Sequence, residues 1–158
     1  MKFSNHLIIL LTILGGFWLD EFLNPATINF FLELNFGFLI FAYWVFALPE
    51  RIQSSVALIY GLVIDLLFSN VIGLNMLFFI TTSYIIHLYV FRFRIFSYFQ
   101  LSVFFSGSST FYTACKYLLL SPNNYSYVVL LISFLVTLVL WIGIYFTMRA
   151  FRRSFLNL

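Results

Sequence analysis

The sequence predicts an all-α integral membrane protein with six transmembrane helices in one bundle. Two observations carry that expectation. Of the 158 residues, 63% are hydrophobic and 8% are charged, and the mean hydropathy is +1.05. A soluble domain needs many more charged side chains on its outer faces. The charges are also confined to short stretches between long apolar runs: the forty residues between Arg51 and Arg92 hold one charged side chain, Asp65. A hydrocarbon core of about 30 Å takes about 20 apolar residues per helix, so that stretch makes one helical hairpin.

The first span is expected over 3–19. Lys2 ahead of an apolar run is reminiscent of a secretory signal, but Gly15 and Gly16 are followed by bulky Phe17 and Trp18 with no small-x-small cleavage site, so the helix should be retained. Asp20 and Glu21 open an acidic segment that ends at Glu33, and its apolar centre, 28–32, reads as an interfacial turn or a loop. A second, short span over 36–48 stops at Pro49, Glu50 and Arg51, where proline ends the helix and the charges mark an interface. Spans over 54–71 and 74–91 form the hairpin, joined around Ser69-Asn70-Val71-Ile72-Gly73 and closed by Arg92 and Arg94. A fifth span over 95–119 carries Ser102, Ser106, Ser109, Thr113 and Lys116 at spacings of four, three, four and three, which align on one helical face. Ser121-Pro122-Asn123-Asn124 breaks the chain before a sixth span over 127–148, which ends in Arg149, Arg152 and Arg153. The whole chain, 1–158, reads as a single transmembrane domain.

With all six crossing, Lys2, Arg51, Arg92, Arg94, Arg149, Arg152 and Arg153 fall on one side and Asp20, Glu21 and Glu33 on the other. Basic loops stay in the cytoplasm, so both termini should be cytoplasmic. The net charge of +3 is spread over helix ends, not gathered in a patch for nucleic acid.

Asp65 is the one acid in its hairpin. Counted from a helix start at Ser54 it lies about 16 Å up, near the bilayer midplane, where a carboxylate must face the protein interior. Hairpin register puts Thr81 and Thr82 opposite it, with Gly61 and Gly73 as helix-packing positions. A structural acid and a proton, ion or ligand site both remain open readings of Asp65. The stripe with Ser106, Ser109 and Thr113 serves either helix packing or a cavity wall. His6 and His87 lack a metal-ligand spacing and Cys115 is the single cysteine, so no metal site, cofactor or enzymatic nucleophile is expected.

Between Phe41 and His87 the chain resembles the rod shape-determining MreD family of small bacterial inner-membrane proteins. The resemblance rests on Tyr43-Trp44, then Ala47-Leu48-Pro49 with Arg51 two places on, then Gly61, Asp65, Gly73 and Leu77. It departs at Glu33-Leu34, where many members carry Arg-Pro. The resemblance implies a non-enzymatic scaffold of cell elongation in the inner membrane. Its partners would be a bitopic MreC-type protein and, indirectly, an MreB-type actin homologue and the glycosyltransferase and transpeptidase of lateral peptidoglycan synthesis, with membrane lipids around it. Tyr43, Trp44, Pro49, Arg51, Ser106, Ser109 and Thr113 are the candidate partner-binding residues.

The resemblance also implies the six-helix fold of the substrate-binding subunits of energy-coupling-factor transporters, and so an alternative, a small-molecule-binding transporter subunit. Such subunits often present Ala-x-x-x-Ala on the first helix, whereas 7–14 is bulky here. A lipid-modifying enzyme or flippase would need clustered polar groups within the membrane, and only Asp65 and the hydroxyl stripe qualify. Topology is tested by alkaline-phosphatase fusions: one after Ser121 should be active and one after Arg94 inactive, and the reverse pattern contradicts the six-span order.

Overall fold

The computed structural model describes residues 3–69, 71–124 and 126–155; Lys2 and Asn70 lie outside them. Six α-helices follow one another: α1 Phe3–Thr27, α2 Phe36–Ala47, α3 Ser54–Phe68, α4 Leu74–Phe93, α5 Tyr98–Leu120 and α6 Tyr127–Phe155. Two 3-10 turns, Ile28–Phe30 and Pro122–Asn124, follow α1 and α5.

The stretches Ser4–Phe30, Leu74–Phe93 and Tyr127–Phe155 are long and apolar enough to cross a membrane. The helix α5 has the length, at 23 residues, but its serines, threonines and Lys116 make it the least apolar of the six α-helices. Helices α2 and α3 are apolar but short, with 12 and 15 residues. At 1.5 Å per residue they reach about 18 Å and about 22 Å, less than the hydrocarbon thickness.

Several boundaries differ from the sequence expectation. Helix α1 runs through Asp20, Glu21 and Pro25 to Thr27, so the acidic segment is mostly helical. Its chain then reverses at Phe31, a non-glycine residue at φ 56°. Helix α3 stops at Phe68, three residues before the expected 71, and α6 continues through its arginines to Phe155.

Helix α2 is the centre. Its residues from Gly37 to Val45, Ile40 apart, are buried, and it packs on α1, α4, α5 and α6. The core around it is aromatic: Phe41 stacks on Phe79 of α4 at 3.8 Å between ring centres, Phe38 on Tyr112 of α5 at 5.0 Å, and Phe105 on Trp141 at 4.1 Å. Tyr43 and Trp44 are 1% and 0% exposed, and the Trp44 indole N–H donates to Thr12 Oγ1 at 2.8 Å.

Lipid supplies little hydrophobic drive between helices, so close backbone approach matters more here than in water. Two crossings achieve it. A Cβ on Gly16 would meet Gly37 Cα at 2.7 Å, which brings α1 onto α2, and one on Gly61 would meet Met76 Cα at 2.5 Å, which brings α3 onto α4. Gly73 plays a different part from the expected packing one. A Cβ there meets nothing within 4 Å, but its φ of +108° is a backbone state that other residues adopt only with strain.

Candidate functional site

Helix α4 begins at Leu74, and its first N–H groups have no partner within the helix. Asp65 supplies the acceptors from the last turn of α3. Its Oδ1 accepts from Asn75 N at 3.0 Å and Asn75 Nδ2 at 2.9 Å, and its Oδ2 from Gly73 N at 2.9 Å and Met76 N at 3.1 Å. Four N–H donors and the positive end of a helix dipole surround a fully buried carboxylate. The left-handed turn at Gly73 is what aims its N–H back at Asp65.

This corrects the expected surroundings of Asp65. Thr81 is exposed and donates to Leu77 O at 2.7 Å, and Thr82, though buried, does not bond Asp65. The physical reason is the early end of α3. With Asp65 only three residues from that end, it faces the start of α4, one to two turns short of the threonines and away from the middle of the hairpin.

Asp20 does the same for α2, with Oδ1 accepting from Phe36 N at 2.6 Å and Oδ2 from Gly37 N at 3.0 Å. Asn24, one turn on, clamps the approach to α2 through Leu34, its Oδ1 accepting from Leu34 N and its Nδ2 donating to Leu34 O, each at 2.9 Å. Glu33 N donates to Ser133 Oγ of α6 at 2.9 Å, and Glu33 Oε1 pairs with Lys116 Nζ of α5 at 3.3 Å. The lysine of the hydroxyl stripe thus pairs with an acid from the other half of the chain and also lies 5.4 Å from the centre of the Tyr112 ring.

Two asparagines join these caps to α5. Asn75 Nδ2 faces the acceptor-only Asp65, which orients Asn75 Oδ1 toward Tyr112, whose hydroxyl donates to it at 2.5 Å. Asn35 Nδ2 donates to Ser109 Oγ at 3.2 Å and to Thr113 Oγ1 at 2.7 Å. The Thr113 hydroxyl accepts from Asn35 and gives its own proton to Ser109 O at 3.2 Å. Above this floor a cavity of about 660 Å³ opens between α1, α4 and α5, with Asp20, Glu21, Asn35, Asn75 and Lys116 on its wall.

The opposite end of α2 carries the complementary charge. Arg152 of α6 donates to Ala47 O at 3.3 Å, and the His87 ring bridges Pro49 O at 2.5 Å and Ser83 O at 2.6 Å. An acid at the N-terminus and an arginine at the C-terminus both match the helix dipole.

The residues expected to meet a partner are mostly turned inward. Tyr43, Trp44, Pro49, Ser106, Ser109 and Thr113 are buried within the chain itself, and Arg51 alone of the seven is exposed. Their burial has a simple cause. The aromatic pair lies on the central helix, and the hydroxyl stripe faces the bundle, where Ser109 and Thr113 hold Asn35 and Ser106 bonds Ser102 O at 2.6 Å. Asp20, Asn24, Asn35, Asn75 and Tyr112 are the site residues that the sequence reading passed over.

A family model described as rod shape-determining protein MreD matches residues 1–151. No curated protein and no solved structure matches the chain.

The capping geometry makes substitutions at Asp65 graded. Asparagine keeps one acceptor oxygen but presents an amide N–H₂ to two N–H donors, and leucine keeps none. In a thermal melt of the purified protein, Asp65→Asn should lose about 1–3 kcal/mol and Asp65→Leu more, with a matching fall in membrane abundance. An Asp65→Asn protein as stable as the parent contradicts the assignment of both carboxylate oxygens as caps.

Proposed function

Because this chain belongs to the rod shape-determining MreD family, we propose that it is a non-enzymatic membrane scaffold that holds an MreC-type partner within the peptidoglycan elongation machinery. Membership carries a role in rod shape determination. The finer reading supplies the means: six spans in the bacterial inner membrane, both termini cytoplasmic, and a lipid-facing groove that receives the partner's transmembrane helix.

The observation that carries the reading is a window between α4 and α5. The two helices meet near one end, where Phe78 lies 6.1 Å from Phe111, and near the other, where Phe93 lies 4.6 Å from Phe104. Between them is an open cleft of about 420 Å³ in which Thr81, Thr82, Gly107 and Ser108 are set among bulkier apolar residues that include Ile85, Val103 and Phe38. Small side chains let a second helix approach closely, and that is how helices associate in lipid. A Cβ on Gly107 meets nothing within 4 Å, so the smallness of this residue is not used by the chain's own packing.

Charge supports the orientation. Asp20, Glu21 and Glu33 share one cavity at one end of α2, while Arg152 reaches Ala47 at the other, as expected where a basic end stays in the cytoplasm.

Gly107 and Gly61 separate docking from folding. Gly107→Leu projects into the open cleft, so the protein should keep its abundance and melting temperature while the MreC-type partner is lost from co-purification and cells become round. Gly61→Leu has to displace the Met76 backbone, which costs about 1–3 kcal/mol or more, so abundance and partner should fall together. Full partner recovery with Gly107→Leu would move the docking surface elsewhere, and tight binding of a vitamin-like solute with no recoverable partner would favour the transporter subunit.

A further inference from the structure

The cavity between α1, α4 and α5 has one feature that the capping network leaves unexplained. Asn35 is 4% exposed, and both protons of its amide are engaged by Ser109 and Thr113. In this orientation the Thr113 hydroxyl accepts from Asn35 and donates to Ser109 O. Asn35 Oδ1 therefore points away from those hydroxyls, and among the described residues it accepts no hydrogen bond. It is also not sealed in, since no buried side-chain oxygen or nitrogen among the described residues lacks a partner. Asn35 lines the cavity, and with its amide N–H₂ turned to α5 this unused acceptor is the side-chain polar atom it has left to offer there.

The rest of the lining sets the chemistry. Three carboxylates, Asp20, Glu21 and Glu33, stand against one ammonium, Lys116, which is already paired with Glu33. Asp20 meets the first N–H groups of α2, and Glu21 remains as an exposed acid at the rim. The polar floor thus offers acceptors and negative charge. The walls are apolar, through Phe17, Phe68, Leu74 and Leu120. The volume of about 660 Å³ exceeds a single side chain and suits a small molecule or one lipid headgroup with the start of its chains.

We propose that this cavity binds a primary ammonium group carried on an apolar body, with Asn35 Oδ1 accepting from the ammonium and Glu21 supplying the field. The ammonium can come from a free amine or from the headgroup of an aminophospholipid. The site is separate from the α4–α5 window, so its failure leaves the scaffold reading intact: partner capture is read without the probe, and probe binding without the partner.

The test is calorimetric titration of the full chain in bilayer discs free of amine lipids. The probe is 2-phenylethylammonium, with 2-phenylethanol and phenylacetate as uncharged and anionic matches. The ammonium should bind saturably and about tenfold or more tighter than the alcohol, the difference a charge-assisted hydrogen bond makes. Glu21→Gln, at an exposed position, should weaken it. Asn35→Leu should abolish it. Because that variant also loses the bonds to Ser109 and Thr113, Asn35→Asp is the decisive partner: it keeps the acceptor, lets the Ser109 and Thr113 hydroxyls turn and donate in return, and should tighten the ammonium. Equal affinity for ammonium and alcohol, phenylacetate bound as tightly, or an Asn35→Asp protein with unchanged affinity overturns the proposal. Discs that contain phosphatidylethanolamine distinguish the sources: competition with the probe identifies the lipid headgroup, and unchanged probe binding identifies the free amine.

Discussion

A helix start buried inside a bundle exposes N–H groups with no water to bond them, and each group left unsatisfied costs about 1–3 kcal/mol. Helix α2, at 12 residues, starts with Asn35 and Gly37 buried in the bundle, and α4 starts in a tight turn directly after α3. Both N-termini are met by an aspartate from the preceding helix, Asp20 on α1 and Asp65 on α3. The solution serves both partners. The carboxylate gains N–H donors and a helix dipole, and the helix gains acceptors in place of water.

The remaining architecture depends on these two caps. Asp65 holds the start of α4 against α3, so Gly61 can sit on the Met76 backbone, and Asn75 is oriented to receive Tyr112 of α5. Asp20 holds the start of α2 against α1, so Gly37 can sit on Gly16, and Asn35 is placed to reach Ser109 and Thr113. Each acid thus connects a local turn to α5, and the two branches converge on one polar floor beneath the cavity. The surface left over is largely apolar, apart from the acidic and basic ends and the window between α4 and α5.

Much of this was legible in the sequence. Apolar runs and charge placement located six helices, and the lone Asp65 amid aliphatic residues marked itself as an interior acid. Its partners differ from the expected threonines because α3 ends at Phe68 and the crossing is set by Gly61 against Met76. Asp20 was hidden for another reason. An acid beside Glu21 and ahead of Pro25 looks like the start of a loop, and only the continuation of α1 to Thr27 turns it toward Phe36. A signal was present: Asn35 directly before an apolar helix and Gly73-Leu74-Asn75 after a break are helix-start patterns, and each helix start implies a search for an acceptor. The burial of Tyr43 and Trp44 was not legible, because on a helix apolar all round the sequence does not say which face meets lipid and which meets protein.

Amide hydrogen exchange in bilayer discs, resolved by residue, tests the capping account most directly. Asp65→Leu should release protection at Gly73, Asn75 and Met76 while leaving Phe36 and Gly37 slow, and Asp20→Ala should do the converse. Unchanged exchange at those five amides in the two variants would contradict the account, because the helix starts would then be held by something other than the two aspartates.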